Sequence, residues 1–446
     1  MSEDTDRTTR RLTQAAARSD WRQVAQEAAA LLEQDPDSAA ALSHACQAAL
    51  ALGRSDEARG YAGQIAAKWP DNASAWVNLA RVEMARQDYA SAAGAYRRAL
   101  QAGPPTPMLL VQASEALLAV GAAQAAEHAA AAAMELAPDL REAYQDPTQP
   151  AHIRAASKAA NAILRDQLAI SLRGTLETLE DRCGRSLLRM RRFLDVFLGF
   201  SPLKTGHPLQ KPSRLYVPDL RAKPWWEPSE IPAVKLVEDA FPAIYDEWQA
   251  VSESSDDFLP YIEARSDVPE VLKPIAGKQD WSAFHFYRNG QPVPEHIERC
   301  PKTMAVIHQL PLMIRQVHAA ECFFSVLRPH CVIPAHVGHT NIKFGVHLGL
   351  SIPEDCAFRV GGEQRIWEPG KCLIFDDGFV HEVWNHSEQP RVVLIFDLWH
   401  PDLELEERSA LDTLLAEFEQ LRDQRAAATV ASLLDAWPQA AGAGPL

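Results

Sequence analysis

Four prolines, Pro36, Pro70, Pro104 and Pro138, recur at a spacing of 34 residues. A unit of that length holds two helices and their turns, and it cannot bury an apolar face alone, so copies must stack on one another. Proline has no amide hydrogen for the carbonyl four residues back, so each marks the end of a helix. Turn-forming acids flank three of them: Asp35 and Asp37 around Pro36, Asp71 after Pro70, and Asp139 after Pro138. The interior agrees with the period. Trp76, Leu79, Ala80, Ala92, Tyr96 and Ala99 precede Pro104; Gly121, Ala126 and Ala133 precede Pro138; Trp21, Val24 and Ala28 precede Pro36. Small residues let antiparallel helices approach closely, and the large ones fill the gaps between them.

This pattern resembles the tetratricopeptide repeat, and residues 5–140 read as a short all-α solenoid of such units. A plain alanine-rich helical bundle is the alternative. Solenoids of this kind offer a concave groove to peptides or protein segments. A partner, the protein's own tail or a second copy of the chain are all open as occupants.

The texture then changes twice. Residues 141–210 form a helical and proline-rich connector, with Ile163, Leu164, Leu168, Leu172, Leu176 and Leu179 at helical spacing. The basic run RMRRFLDVFLGF is read as a helix docked on its own protein, with a membrane-surface or partner helix as the alternative. Beyond it, FFSVLRP, IKFGVHLGLSIP, AFRVGG, KCLIFDD, HEVWNHS and RVVLIFDLWH are short apolar segments separated by Gly, Pro, Asn and Asp. Such a series predicts a β-sandwich or jelly roll over 211–402. Residues 403–446 return to helix as a C-terminal tail.

Three residues carry the chemistry. His336 and His381 each read alone as polar surface residues. On separate strands 45 residues apart, they are what a double-stranded β-helix needs to bring two imidazoles to one metal. Imidazole suits iron(II), and open coordination positions suit an oxygenase. Arg391 opens the strand RVVLIFDLWH; pointed inward, it requires an anion, and its planar fork fits a carboxylate. A small dicarboxylate would serve.

Residues 213–402 resemble the aspartyl/asparaginyl β-hydroxylase family of iron(II)- and 2-oxoglutarate-dependent oxygenases. The resemblance rests on YVPDLRAKPWWEP, CPKT at 300–303, PAHVGHTN followed by HLGLSIP, WEPGKCLIFDDGFVHEVWN and RVVLIFDLWHPDL. It implies that His336 and His381 bind Fe(II), and that Gly338 stands where other oxygenases place a carboxylate. It implies that Ser325 and Arg391 hold the distal carboxylate of 2-oxoglutarate, with His347 on the other side of that cosubstrate. With O2, such an enzyme hydroxylates a C–H bond, first of all the β-carbon of Asp or Asn in a peptide or protein. The family commonly has an arginine two residues before His347; this chain has Gly345 there. Lys343 shares that strand face and is the stand-in, making a point contact and not a fork. His339 departs from a position that is often proline and reads as exposed. Asp376 and Asp377 are assigned to turn geometry and supporting hydrogen bonds, and Trp225, Trp226, Cys331 and Cys372 to packing.

The alternatives keep the oxygenase with a small peptide, an amino-acid derivative or a lipid as substrate, or make the chain a non-catalytic repeat adaptor. A formal charge of −15 argues against a nucleic-acid or anionic-membrane binder, which needs a basic field. No apolar run reaches the length of a membrane span, and the N-terminal stretch lacks the apolar core of a secretory signal. Seven cysteines without a C-x-x-C pair point to reduced thiols and a cytoplasmic location.

Overall fold

The computed structural model describes residues 3–253, 257–266, 268–313, 321–427 and 429–438, excepting the side chains of 3–6. It divides into two compact units, residues 1–171 with 418–446 and residues 172–417. The end of the C-terminal tail, residues 439–446, lies outside the described residues.

The first unit is the solenoid. Its helices are α1 (Glu3–Ala17), α2 (Trp21–Gln34), α3 (Ala39–Ala51), α4 (Ser55–Lys68), α5 (Ala73–Ala85), α6 (Tyr89–Ala102), α7 (Pro107–Ala119) and α8 (Ala123–Leu136). Each packs on the next along the chain. The four prolines stand two residues beyond α2, α4, α6 and α8, as their spacing predicts. The period extends to features that no single motif reveals. Ser38, Asn72 and Thr106 cap α3, α5 and α7 at 34-residue intervals, each side chain accepting a backbone N–H of the first turn. Residues 19, 53, 87 and 121 all take positive φ, at 55°, 74°, 63° and 78°. At each, the next amide returns to a carbonyl five residues back: Asp20 to Ala15, Arg54 to Ala49, Asp88 to Glu83, Ala122 to Leu117. That is the left-handed helix stop with its six-to-one hydrogen bond. Ala80, Ala92, Ala99, Ala126 and Ala133 are sealed from solvent, with Trp76, Leu79 and Tyr96 filling the spaces beside them.

Helix α9 (Ala151–Cys183) follows, and its Ala156, Ala160 and Ile163 join the core of the repeats. In the second unit, α10 (Leu188–Phe197) buries Met190, Phe193 and Leu194. Its arginines are engaged by acids of the same unit: Arg189 with Glu407, Arg191 with Glu180, Arg192 with Asp219. The basic run is thus a docked helix. Among the described residues, no helix is long and apolar enough to cross a membrane.

The rest of the second unit is two facing sheets with helices on one side. Its strands are β1 (Trp225–Trp226), β2 (Leu259–Pro260), β3 (Trp281–Arg288), β4 (Gln291–Pro292), β5 (Cys322–Leu327), β6 (Cys331–His336), β7 (Lys343–Ser351), β8 (Cys356–Val360), β9 (Glu363–Arg365), β10 (Cys372–Phe375), β11 (His381–Asn385) and β12 (Arg391–Trp399). The larger sheet runs β1-β10-β7-β12-β5-β3-β2, with β4 paired to β3; the smaller runs β6-β11-β8-β9. Every pairing between these strands is antiparallel. Helices α11 (Val234–Asp239), α12 (Phe241–Ser252), α13 (Pro294–Ile297) and α14 (Pro301–Ile307) complete the middle of the unit.

Alternation along the long strands decides what faces where. Phe344, Val346, Leu348 and Leu350 of β7, with Val392, Leu394, Phe396 and Leu398 of β12, join one core with α11, α12 and α14. The opposite face of the same strands, Lys343, Gly345 and His347 with Arg391, Ile395 and Asp397, borders a cavity. Ile333, Phe358, Val383 and Phe375 pack between the sheets beside it. Finally α15 (Leu405–Ala426) leads back to the first unit, where α16 (Val430–Ala436) packs on α8 and buries Leu433 and Trp437 in the repeat core. The C-terminal segment therefore closes the solenoid.

Candidate active site

The stretch PAHVGHTN crosses from β6 into the turn before β7, and residues 213–217 hold that turn. Asn341 brackets Val217, accepting its amide and donating to its carbonyl, both at 2.8 Å; the amides of Ser213 and Leu215 donate to Gly338 O and His339 O. Across from it, the turn FDDGF is fixed by Asp376, whose buried carboxyl accepts Gln210 Nε2 at 2.6 Å and the Gly378 amide at 2.8 Å.

These turns set His336, at the end of β6, directly opposite His381, at the start of β11. The rings lie 4.1 Å apart between centroids. His336 Nδ1 bonds Pro334 O at 2.7 Å and His381 Nδ1 bonds Phe379 O at 2.8 Å. A carbonyl only accepts, so the proton sits on Nδ1 in both rings and each Nε2 keeps its lone pair. Burial lowers both imidazoles, His381 to about 3, where the neighbouring His336 also contributes. Two neutral imidazoles with carbonyl-fixed tautomers are the donor set a divalent transition metal takes, so the residues fit the ion. Among the described residues, no group of three or more His, Cys, Asp or Glu comes together at metal-binding geometry.

Gly338 explains itself by what lies beside it. A Cβ there would fall 2.4 Å from Asp377 Oδ2 and Cγ. The Asp377 carboxylate thus occupies the space of any side chain at 338, and the Gly338 amide donates to Asp377 O at 2.6 Å. Asp377 Oδ1 is buried without a partner.

Arg391 is the other pole. Its residue is 1% exposed, yet no acid pairs with it among the described residues, and its Nε has no hydrogen-bond partner. Nη1 reaches Ser325 Oγ at 3.4 Å, and the guanidinium lies 5.0 Å from the Trp367 ring. Burial pulls it down to about 10. A guanidinium so placed calls for an anion that the protein does not supply. Ser325 is fully buried behind it, also accepting Trp281 Nε1 at 3.1 Å, and does not itself border the cavity. His347 does. It stacks on Phe358 at 5.3 Å, its Nδ1 has no partner, and burial lowers it well below the ordinary value. His336, His381, His347 and Arg391 therefore share one cavity of about 620 Å³.

Lys343 borders the same cavity, but its ammonium is held inside the protein. Nζ lies 2.7 Å from Asp397 Oδ2 and 3.5 Å from Asp377 Oδ2. Burial alone would lower this lysine; the two carboxylates outweigh it and hold it above its ordinary value. Gly345 is filled from across the strand pair, since a Cβ there would meet Phe375 Cζ at 2.7 Å. His339 is exposed at the rim and bonded to Ser213 Oγ at 2.8 Å. Trp225 and Trp226 are buried, as read from sequence, and so are Cys331 and Cys372. Several lining residues were not singled out in the sequence: Glu321, Tyr261, Trp281, Phe375 and Asp397. Asp397 was within reach, six residues after Arg391 on the same face of β12. Phe375 ends β10 inside the quoted stretch WEPGKCLIFDDGFVHEVWN, whereas Glu321, Tyr261 and Trp281 come from segments with no motif.

Two facing antiparallel sheets, a histidine pair at opposed strand ends and a lone buried arginine define a double-stranded β-helix domain with a ligand cavity between its sheets. Residues 238–401 match the family model described as aspartyl/asparaginyl beta-hydroxylase, and residues 45–107 match that of the tetratricopeptide repeat. The chain thus carries a stretch that matches the β-hydroxylase family model behind one that matches the tetratricopeptide repeat. It is 34% identical over 213 residues to aspartate beta-hydroxylase domain-containing protein 2 of Xenopus tropicalis, covering 47% of this chain and 55% of that protein. The Rattus norvegicus protein of the same name is 35% identical, with 47% and 60% covered. The aspartyl/asparaginyl beta-hydroxylase of Homo sapiens is 34% identical over 200 residues, 44% of this chain and 25% of that protein. The match spans little more than half of the first two relatives and a quarter of the third.

Proposed function

We propose that this protein is an iron(II)- and 2-oxoglutarate-dependent dioxygenase that hydroxylates a C–H bond, with the β-carbon of an aspartyl or asparaginyl residue in a polypeptide as the family's substrate. One observation carries the reading. A fully buried arginine without an acid partner among the described residues shares a cavity with two imidazoles whose Nε2 lone pairs are free. A dicarboxylate that also meets a metal ion satisfies both ends of that arrangement.

When bound, the ferrous ion and 2-oxoglutarate supply the activation of O2 and the oxidation of the C–H bond, leaving succinate and carbon dioxide. The chain's own residues do the rest. His336 and His381 hold the ion, their rings fixed by Pro334 O and Phe379 O. Arg391, steadied by Ser325, takes the far carboxylate in a desolvated site where such a pair is strong. His347 presents an unpartnered Nδ1 to the same end. Phe358, Phe375 and Ile333 keep the surroundings apolar. The repeat unit is assigned to a polypeptide partner or substrate, and the unpaired cysteines suit a cytoplasmic location.

Gly345 favours a second reading of the substrate. With Phe375 filling its space and Lys343 already paired, no guanidinium among the described residues stands where the family's arginine would meet an acidic group. The same chemistry on another side chain, or on a small amino-acid derivative, follows from that.

Calorimetric titration of 2-oxoglutarate into the full chain with manganese(II) tests the reading independently of turnover. Binding that needs the metal and disappears in His381→Ala is expected. Absence of binding in the intact chain would leave the repeats as the functional part and make this an adaptor.

A further inference from the structure

The cavity is a ligand site on grounds separate from its acids. Arg391 and His347 are 1% and 6% exposed, border the cavity, and each keep a ring or guanidinium nitrogen without a partner. Arg391 with Ser325 and His347 forms the cosubstrate end. The charges that remain on the wall are unequal. They are the ammonium of Lys343 against the carboxyls of Asp377, Asp397 and Glu321. No other Lys or Arg borders the cavity among the described residues.

We propose that the substrate end of this cavity selects a cationic group, the ammonium or guanidinium of a basic residue or amine, and rejects a carboxylate. This rests on the oxygenase reading and changes its substrate. Lys343 is already bound by two of the three acids, Asp397 and Asp377, and no ion pair to a Lys or Arg reaches the third, Glu321, among the described residues. Glu321 Oε2 accepts the Tyr261 hydroxyl at 2.6 Å, and the Glu321 amide donates to Asp397 Oδ2 at 3.2 Å. Two acids thus stand together on one wall, and among the described residues no second Lys or Arg lies between them. Tyr261 stacks on Trp281 at 4.0 Å and on Phe323 at 5.0 Å, and Tyr261 and Trp281 both border the cavity. An aromatic surface beside a carboxylate is what an ammonium or guanidinium prefers. The position that would favour an acidic substrate has been closed: Gly345 carries no side chain, and Phe375 lies where one would go. Burial and Asp397 push the Glu321 carboxyl up to about 7, and an incoming cation would restore its ionised form.

The test uses the full chain with iron(II) and 2-oxoglutarate. Pentapeptides differing only in a central lysine, arginine, asparagine or aspartate are compared, with free lysine and free arginine as small-molecule arms. Equilibrium binding by fluorescence anisotropy, competed by unlabelled probe, is measured beside succinate release and the mass gain of one oxygen. Lysine or arginine probes are expected to bind at least about tenfold tighter than aspartate, the scale of one charge-assisted contact. The arm that binds tightest separates peptide from free amino acid. Glu321→Gln should erase the preference and Glu321→Lys should turn it toward aspartate. Both are read as ratios between probes within one variant, so a general loss of fold lowers all probes alike. Equal or better binding of aspartate, or a preference untouched by Glu321→Gln, overturns the proposal. If 2-oxoglutarate binds and is turned over while no basic probe binds, the charge assignment fails and the oxygenase stands. If 2-oxoglutarate does not bind, the oxygenase reading fails and this inference with it.

Discussion

Ala99 in the repeat unit and Arg391 in the jelly roll are both sealed from solvent, at 0% and 1% exposure. Ala99 is there because nothing larger fits where two helices meet, and its role recurs along the solenoid at Ala133. Arg391 occurs once, against Ser325 and Trp367, and nothing about packing asks for a charge there. In the repeats, burial serves the fold; in the barrel, the burial of Arg391 costs the fold and, under the proposed function, serves a ligand.

Arg391→Met breaks the comparison most sharply. Losing the fork should weaken 2-oxoglutarate by roughly two orders of magnitude, as when one partner of a buried charge pair is removed. The melting temperature should hold or rise, because an unpaired buried guanidinium is replaced by an apolar chain of similar length. Calorimetry and thermal unfolding read the two effects. A large fall in melting temperature would show that Arg391 is structural after all.

Ala99→Leu asks the opposite of the repeats. Extra carbons at a helix contact without free volume should destabilise by about 1–3 kcal/mol, seen as an earlier denaturant midpoint. 2-Oxoglutarate binding below that midpoint should be unaltered. A neutral outcome would mean the helices separate easily, and the small-residue reading of the period would lose its basis.

Acid should act through the barrel. His285 is buried beside Phe323 and Tyr261, and burial lowers its pKa to about 4, against an ordinary 6.5. The unfolded chain takes up this proton below 6.5, whereas the folded chain refuses it until about 4. The contribution is therefore complete above 6.5 and lost as pH falls through that window, by up to about 3 kcal/mol. His285→Phe should flatten the fall in stability between pH 6.5 and 4. An unchanged slope would show that this ring does not titrate as its burial requires.

The two units also differ in how far they can be read from sequence. Repetition made the solenoid legible: four prolines and a few alanines located eight helices, because the same local rules were written several times. The jelly roll was legible as strands, and its motifs brought His336, His381, His347 and Arg391 to one cavity. Lys343 was placed on the correct face, but its pairing with Asp397 and Asp377 needed the register of β7 against β12. The reason for Gly345 lies on β10, thirty residues away, in the ring of Phe375. Glu321 and Tyr261 belong to segments without periodicity, so nothing local marked them. Residues that act through partners distant in sequence are hidden until the strands are paired.

The smallest effect tests the repeat logic at its finest grain. Positions 19, 53, 87 and 121 share a left-handed backbone, but only Gly53 and Gly121 suit it; Gln87 holds φ 63° with a side chain. It lies just past α5, its side chain exposed, in the turn where Asp88 returns to Glu83 O at 3.0 Å. A side chain in that conformation crowds its own carbonyl, at a cost that the freer unfolded state of glycine only partly offsets. Gln87→Gly should therefore raise stability by about 0.5–1 kcal/mol, and Gly121→Ala should lower it by a similar amount. The two together, measured by denaturant unfolding, separate backbone strain from any contact of the glutamine side chain. If Gln87→Gly destabilises while Gly121→Ala does so too, the glutamine contributes a contact that outweighs the strain, and the four turns are alike in geometry but not in energy.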